Sequence, residues 1–338
     1  MSMINAKTKH IASCYMSGKI RFAEFALTNT CISKCTFCSI WKQQPKVFVD
    51  KDKALKAINK MADLGVCHMC FTGGEASMHP DIVELIAEAT KRNINSALLV
   101  AAPRLLMKED LLKQLKEAGC DLISISFDSG DPKIMEESRQ IPHIMDDMRT
   151  LLQMTKKAGL KTMASVLIWN HNYDSLEQVC IDAQKMGFDF VSLNYPTYSE
   201  SSTYELGGSG IDFPKEKLIE SLETAIKLRK SGKYNLVNPS ASMQNIVNYL
   251  KDPASVTFPC YGGSRVMFVD WFFTVYPCMQ LTDSLGNIFD ITEKDLALPA
   301  CNKCNMSWYR DFSAYFGGAK SIPIILESIK KSGKMMDE

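Results

Sequence analysis

The sequence lacks long apolar runs and has almost no excess charge, and both absences limit what the protein can be. No segment approaches the ~20 uncharged apolar residues that cross a bilayer, and residues 1–19 lack the continuous apolar core of a signal peptide. The 39 basic and 38 acidic side chains give a formal net charge of +1, so no global field attracts nucleic acid or an anionic membrane. We therefore expect a cytoplasmic protein with no membrane span and no nucleic-acid partner.

Histidine is also scarce, whereas cysteine is not. The five histidines show no spacing that matches a ligand cluster. Twelve cysteines in a cytosolic chain favour metal ligation or reduced core thiols over disulfides. The length of 338 residues allows one large α/β domain and a smaller one.

Strand-like and helix-like patterns alternate between residues 20 and 200. Short apolar runs predict strands at 21–27, 66–71, 95–101, 122–127, 161–168 and 188–194. Amphipathic patterns predict helices at 52–64, 81–92, 108–118, 144–158 and 175–186. Several of these helices are followed by a glycine suited to a left-handed C-cap: Gly65, Gly119, Gly159 and Gly187. Six strands joined by five helices require a parallel sheet covered by helices, which is an α/β fold.

Three cysteines, Cys31, Cys35 and Cys38, follow the first predicted strand in the spacing C-x3-C-x2-C. Three thiolates on one short loop can hold three irons of a [4Fe–4S] cube and leave the fourth iron open to a substrate or cofactor. A zinc loop or three unrelated buried thiols are the alternatives, although zinc sites usually pair C-x2-C with a second pair.

This pattern, with Phe37 before the third cysteine, resembles the signature of the radical S-adenosylmethionine (SAM) enzymes. The resemblance implies an open, partial (β/α)6 TIM-like barrel over residues 20–198, and a [4Fe–4S] cluster whose open iron chelates SAM. It implies reductive cleavage of SAM to methionine and a 5′-deoxyadenosyl radical that abstracts a substrate hydrogen. It also implies a low-potential electron donor such as flavodoxin or ferredoxin.

A Gly-Gly-Glu motif, Gly73, Gly74 and Glu75, follows the second predicted strand, as it does in radical SAM barrels. Glycines allow a backbone edge to approach the amino group of SAM, and the Glu75 carboxylate would offset the positive charge of that group. The resemblance therefore implies that these three residues bind SAM.

Four further residues match positions that contact SAM in the family. Ser126 and Asp128 end the fourth strand, near the expected ribose or carboxylate of SAM, although a strand-end cap explains Asp128 equally well. Arg139 resembles a recurrent arginine of the next helix, and Asn170 lies where ribose or adenine contacts are expected. Arg139 and Asn170 could equally be ordinary surface groups.

A second set of cysteines, Cys260, Cys278, Cys301 and Cys304, resembles that of the SPASM/twitch group of radical SAM enzymes. Phe273 begins a segment similar to G-x-V-x-P-C but replaces its glycine, so we expect a different hairpin turn. Four cysteines are too few for a full SPASM domain, and we predict one auxiliary [4Fe–4S] cluster in a twitch domain. Four thiolates would saturate its irons, which favours electron transfer or tuning over substrate binding. A zinc ribbon is the alternative.

Cysteine also occurs as a C-x-x-C pair, Cys67 and Cys70, within the second predicted strand. Residues three apart on a strand face opposite sides, so the pair is poorly placed to ligate one metal. We expect two buried thiols there.

The remaining chain divides into shorter segments. We expect an extension at 1–19, a loop and linking helices at 199–255 with helices at 215–231 and 241–250, the twitch domain at 256–310, and a C-terminal helix or tail at 311–338. The glycine-rich residues 199–212 predict a mobile loop, with a solvated linker as the alternative.

The predicted function is that of a radical SAM oxidoreductase or transferase. It would oxidise, cyclise or bond a small molecule while the auxiliary cluster relays electrons. Because only residues 1–19 precede the barrel, a small molecule or an unassisted peptide is favoured over a leader-guided peptide. The alternatives are a peptide-modifying maturase, a noncatalytic SAM-binding iron–sulfur protein of electron transfer or regulation, and a zinc-bearing interaction module. Tyr195, after the sixth strand, is a candidate proton acceptor, and no base is otherwise identifiable.

Overall fold

The computed structural model describes residues 6–16, 18–19, 21–197, 213–316 and 321–327. Within them the strands are β1 (Arg21–Ala26), β2 (Val66–Thr72), β3 (Asn95–Val100), β4 (Leu122–Ser126), β5 (Thr162–Leu167), β6 (Phe190–Asn194), β7 (Val266–Val269), β8 (Thr274–Tyr276) and β9 (Gly286–Asn287). These nine strands lie in one sheet, in the order β6-β5-β4-β3-β2-β1-β7-β8-β9. Neighbours from β6 to β7 are parallel, whereas the β7–β8 and β8–β9 pairs are antiparallel.

The described helices cover the outer face of this sheet and extend beyond it. They are α1 (Ala6–Met16), α2 (Lys51–Asp63), α3 (Ile82–Lys91), α4 (Glu109–Glu117), α5 (Pro132–Arg139), α6 (Ile144–Lys157), α7 (Leu176–Met186), α8 (Lys215–Ser231), α9 (Ser240–Lys251) and α10 (Ser307–Ser313). Residues 322–327 are helical as well.

The six predicted strands of the alternating region are confirmed as β1 to β6, and the predicted helices as α2, α3, α4, α6 and α7. The glycines predicted to cap helices have left-handed backbones, with φ of +88° at Gly65 and +98° at Gly187. Parallel strands in sequential order, each followed by a helix, give the expected open partial barrel.

Alternation within the strands separates the packed side of the sheet from its inner side. In β5, Ala164 and Val166 are buried among the helices, whereas Ser165 and Leu167 face the barrel interior. The apolar outer positions form one continuous core with the helices. The inner positions are therefore available to form a binding site.

The barrel is open because β6 and β1 are not hydrogen-bonded to each other in the described sheet. Helix α10 packs against β6, β7 and α9 and covers this open side. The ring of Phe312 in α10 stacks on Phe22 of β1, with ring centroids 4.1 Å apart. Strand β7 extends the barrel sheet directly, so the cysteine-bearing region is joined to the barrel through β1.

The structure does not support the expectation that Phe273 changes the hairpin turn. Its φ is +66°, in the left-handed region that glycine favours. The Phe273 ring is buried against Phe25 of β1, with centroids 6.2 Å apart. Packing of the ring therefore accompanies a backbone conformation that is unusual for a bulky residue.

Two further sequence predictions concern a glycine-rich loop and the absence of a membrane span. The glycine-rich residues 199–212 lie outside the described residues. Among the helices that the structure describes, none has the length and apolar character needed to cross a membrane.

Candidate active site

A cavity of about 770 Å³ occupies the barrel interior. Polar side chains from the inner faces of four strands line it: Thr72, Ser126, Ser165, Ser192 and Asn194. Helix α10 contributes Trp308 and Phe312 to its floor. The volume is typical of sites for cofactors and small ligands.

The loop after β1 carries Cys31, Cys35 and Cys38 beside this cavity. Its residues Phe37 and Ser39 line the cavity directly. Burial, and next the charge of Glu75, raise the pKa of Cys31 to about 12, and Cys35 and Cys38 add to the shift. The three thiols are unpaired and close enough to influence one another, so ionising them requires a compensating positive charge such as an iron core.

The Gly73-Gly74-Glu75 turn holds the base of this cysteine loop. The Gly74 N–H donates to the carbonyl of Thr28 (2.7 Å) and the Glu75 N–H to that of Thr30 (2.8 Å). A Cβ on Gly74 would lie 2.3 Å from the Thr30 carbonyl oxygen, so only glycine permits this approach. The glycines thus bring β2 against the segment that precedes Cys31.

Glu75 is fully buried, and both of its oxygens accept hydrogen bonds from the protein. One oxygen accepts the N–H groups of Ala101 and Ala102 (2.7 and 2.8 Å), and the other accepts the Ser77 N–H (3.2 Å). Burial raises the pKa of Glu75, and these hydrogen bonds oppose the rise. The carboxylate therefore ties the loops after β2 and β3 together, a role the sequence analysis did not anticipate.

Asp128 and Arg139 form a buried ion pair next to the cysteine loop. The Arg139 Nη2 and Nε atoms lie 2.6 and 2.9 Å from one Asp128 oxygen, and the other oxygen accepts the Leu167 N–H (2.9 Å). Arg139 lines the cavity, lies over the Phe37 ring at 4.8 Å, and has Nη1 3.9 Å from the Cys35 sulfur. Asp128 thus orients Arg139, and the alternative of an ordinary surface arginine does not hold.

Asp128→Asn should lower the free energy of unfolding by about 3 kcal/mol or more, because it leaves the buried Arg139 charge without its anion. Urea unfolding of the purified protein measures this change. Asp147→Asn is the matched control, since the Arg104–Asp147 pair is half-exposed and should cost less than about 1 kcal/mol. Equal losses in the two variants would contradict the importance assigned to the buried pair.

The segment after β5 places its residues differently from the prediction. Asn170 is exposed in a turn, and it is absent from the described lining of the cavity. Asn172 is buried instead, and its amide donates to the carbonyls of Asp128 (2.8 Å) and Leu167 (2.9 Å). Trp169 lines the cavity, and its buried indole Nε1 has no hydrogen-bond partner among the described residues. An indole N–H without an acceptor in the protein can donate to a ligand that carries a hydrogen-bond acceptor.

Tyr195 lines the cavity but is poorly suited to accept a proton as a base. Burial, and next the nearby Asp311 carboxylate, raise its pKa well above the ordinary value of 10. The hydroxyl therefore stays neutral at physiological pH. The prediction of Tyr195 as proton acceptor receives no support from its surroundings.

The second cysteine set lines a separate small cavity of about 40 Å³. Cys260, Cys278, Cys301 and Cys304 all contribute to its wall. Cys260 and Cys301 are held together by two backbone hydrogen bonds of 2.7 and 2.8 Å. Buried Arg310 donates to the Cys304 carbonyl (2.8 Å), and its charge opposes the burial that raises the pKa of Cys260 to about 11.

Cys67 and Cys70 are both buried on β2 and face opposite sides, as predicted. Cys67 packs against Cys14, whereas Cys70 lines the large cavity. Within the described residues, no three His, Cys, Asp or Glu side chains converge on a point where they could hold a single ion. The four cysteines of the second set line a small cavity instead.

The fold and the site together define a cofactor-binding α/β barrel with unpaired thiols on the loop after its first strand. The family model described as "Radical SAM superfamily" matches residues 25–183. Residues 25–183 therefore form a radical SAM domain, and members of that superfamily use SAM and a [4Fe–4S] cluster.

Named relatives span several activities. The PqqA peptide cyclase of Granulibacter bethesdensis is 28% identical over 163 residues, which cover 48% of this chain and 43% of that protein. The AdoMet-dependent heme synthase of Methanosarcina barkeri is 20% identical over 283 residues, 81% of this chain and 80% of that protein. The chain thus spans less than half the length of the PqqA peptide cyclase.

A solved structure with the same fold is that of Streptococcus suis SuiB bound to S-adenosylmethionine. It matches with a TM-score of 0.64 and 15% identity, and the match covers 85% of this chain and 68% of SuiB. At this identity the likeness concerns the fold.

Proposed function

We propose that the protein is a radical SAM enzyme that cleaves SAM reductively and removes a hydrogen atom from a substrate held in the barrel cavity. The observation that carries this proposal is the grouping of Cys31, Cys35 and Cys38 beside a cavity of about 770 Å³. When bound, the cluster and SAM supply the one-electron chemistry. The chain supplies binding, orientation and exclusion of water.

Several residues around the cavity suit the binding of SAM. Ser126 and Arg139 line it near the cysteine loop, and Trp169 offers an unused indole N–H there. Glu75 and Asp128 support the site indirectly. The Glu75 carboxylate accepts hydrogen bonds from neighbouring loops, and the Asp128 carboxylate pairs with Arg139. We propose no direct contact with SAM for those two carboxylates or for Asn170.

The four cysteines of the smaller cavity are proposed to hold one auxiliary [4Fe–4S] cluster in a twitch-type region. Four unpaired thiols around one space, with the Arg310 guanidinium among them, fit an anionic cluster. With every iron held by cysteine, this cluster would serve electron transfer.

A peptide is the proposed substrate, since the PqqA peptide cyclase is named for acting on one. The cavity has room for a cofactor together with one side chain or a group of similar size. A small molecule remains a second candidate, because the heme synthase matches over most of both chains. The earlier preference for a small molecule therefore becomes the second choice.

The proposal is tested with anaerobically reconstituted protein, SAM and dithionite. We expect 5′-deoxyadenosine and methionine in equal amounts even without substrate, because SAM bound at a reduced cluster is cleaved slowly. A pool of short synthetic peptides that together present every natural side chain should raise the rate, and a matched pool of tetrapyrroles should not. No 5′-deoxyadenosine under any condition would overturn the proposed activity, and stimulation by the tetrapyrroles alone would overturn the peptide assignment.

A further inference from the structure

The floor of the large cavity contains an acid that the sequence analysis did not single out, Glu24 of β1. It lies two residues before the end of its strand, about 7 Å below the mouth at the usual rise per residue. Its side chain lines the cavity although the residue is only 3% exposed. A carboxyl group this deep in a barrel strand needs a reason, because burial of a charge is costly.

The hydrogen bonding of Glu24 is one-sided. One oxygen accepts the hydroxyl of Tyr309 of α10 at 2.7 Å. For the other oxygen the described residues give no hydrogen-bond donor, and no cation contributes to the electrostatics of the carboxyl. Burial therefore raises the pKa of Glu24 to about 7, with the Tyr309 hydrogen bond opposing the rise. A carboxyl group with that pKa changes protonation state under physiological conditions.

The position of Tyr309 links this acid to the second cysteine set. Tyr309 lines the smaller cavity together with Cys260 and Cys278, whereas Glu24 lines the larger one. Gln280 and Met306 line both cavities. The Glu24–Tyr309 hydrogen bond is thus part of the thin wall between the substrate space and the four-cysteine space.

The other titratable groups facing the cavity are less suited to accept a proton. On β2, burial raises the pKa of the Cys70 thiol well above 9 and lowers that of His68 to about 4. The facing residue on β7 is Phe268, which does not titrate. On α10, Asp311 also has a raised pKa, but its two oxygens already accept from Ser242 (2.5 Å) and Asn238 (2.7 Å).

We propose that Glu24 is the catalytic base that takes the substrate proton when the substrate radical is oxidised. This inference rests on the proposed function. After hydrogen-atom removal, the carbon radical bears a neighbouring X–H group, where X is oxygen, nitrogen or sulfur. The X–H bond breaks with its electron pair staying on X, and an O–H bond forms on the Glu24 carboxylate. An oxidised iron–sulfur cluster held by the four cysteines would accept the one electron that leaves the substrate, and loss of that electron completes a C=X double bond.

This location places the proton acceptor and the electron acceptor on the same side of the substrate. The proton moves to the free oxygen of Glu24, while Tyr309 donates to the other oxygen and stabilises the carboxylate beforehand. Removal of the proton makes the substrate radical a stronger reductant, so loss of the proton facilitates loss of the electron. The base would be lost if the carboxyl were replaced by an amide of the same shape.

Glu24→Gln tests the proposal, because glutamine fits the space and its carbonyl can still accept from Tyr309. We expect 5′-deoxyadenosine formation to stay within about threefold of wild type, while oxidised product falls on the order of 100-fold, in the range for loss of a general base. In wild type, product formation should rise as pH rises through about 7, because only the ionised carboxyl accepts a proton. Glu117→Gln, at an exposed site on α4, is the control and should behave as wild type.

Two readouts separate a catalytic role from a structural one. Infrared spectra without SAM or substrate should show protonated carboxyl absorption that disappears as pH rises through about 7 in wild type. Glu24→Gln should remove the Glu24 component of this absorption, while the component of Asp311 remains. Tyr309→Phe removes the bond that lowers the Glu24 pKa, so the Glu24 component and the product profile should both move to higher pH. Normal product formation in Glu24→Gln, or carboxyl absorption of unchanged intensity in that variant, would overturn the assignment. Absence of 5′-deoxyadenosine in wild type would instead refute the proposed function itself.

Discussion

Cys35→Ala should reduce 5′-deoxyadenosine formation on the order of 1,000-fold, which corresponds to about 4 kcal/mol in the barrier. The loss follows from the position of the thiol. Cys35 is buried, 2.9 Å from the Ser33 hydroxyl and close to the Arg139 guanidinium, and its removal leaves two of the three thiolates proposed to hold the cluster. The measurement is 5′-deoxyadenosine by liquid chromatography of anaerobic reactions with SAM and dithionite.

Cys180→Ala is the control for this substitution. Cys180 is equally buried, but it lies on α7 in the main apolar core and far from the cysteine loop in sequence. It should retain SAM cleavage within about threefold, since removal of one buried sulfur costs on the order of 1 kcal/mol of stability. Retained cleavage in Cys35→Ala, at normal iron content, would contradict the role of the loop after β1.

Cys301→Ala should separate two activities that Cys35→Ala removes together. The Cys301 sulfur faces the smaller cavity, on the far side of the Glu24–Tyr309 wall from the substrate space. We expect SAM cleavage within about threefold of wild type and product formation lower on the order of 100-fold, because oxidation of the substrate loses its electron acceptor. The ratio of product to 5′-deoxyadenosine, measured in the same reaction, reports this division.

Two further variants test whether the effect of Cys301→Ala is specific to the second cysteine set. Cys304→Ala should reproduce the same ratio, because both sulfurs line the same cavity. Cys120→Ala, at a buried thiol near the start of β4, should leave the ratio unchanged. An equal loss of both activities in a folded Cys301→Ala protein would argue that the second site does not act after SAM cleavage.

The sequence allowed the barrel to be predicted because its periodic signals are local. Apolar strands, amphipathic helices and the glycines that follow these helices, such as Gly65 and Gly187, all indicate the same alternation of strand and helix. What remained hidden was the joining of β7 to β1, since pairing between segments more than two hundred residues apart leaves no local pattern. Helix α10, which covers the open side, was hidden for the same reason.

The site was predictable where residue type and spacing alone decide the chemistry, as at Cys31, Cys35 and Cys38. It was not predictable where a side chain can bind either a ligand or a neighbouring group of the protein. Glu75 uses its oxygens on backbone N–H groups, which depends on how the loops after β2 and β3 meet in space. Asn170 and Asn172 differ by two positions, and only the turn decides which of them is buried.

Glu24 shows which signal the sequence did contain. It is an acid in the middle of β1, where every other residue after Arg21 is apolar. Strands of parallel sheets are typically near-continuous in apolar residues, so one acid inside the run marks either a paired charge or a functional group. Its partner, Tyr309, lies 285 residues away and could not be identified from the sequence.

Electron paramagnetic resonance of the reduced, anaerobically purified protein, with and without SAM, tests the central claim most directly. The account predicts iron and sulfide for two [4Fe–4S] clusters, and a change of one signal on addition of SAM. That responsive signal should be missing when Cys31, Cys35 and Cys38 are all replaced by alanine, while the second signal remains. Zinc in place of iron, or a cluster spectrum that SAM leaves unaltered, would contradict the account.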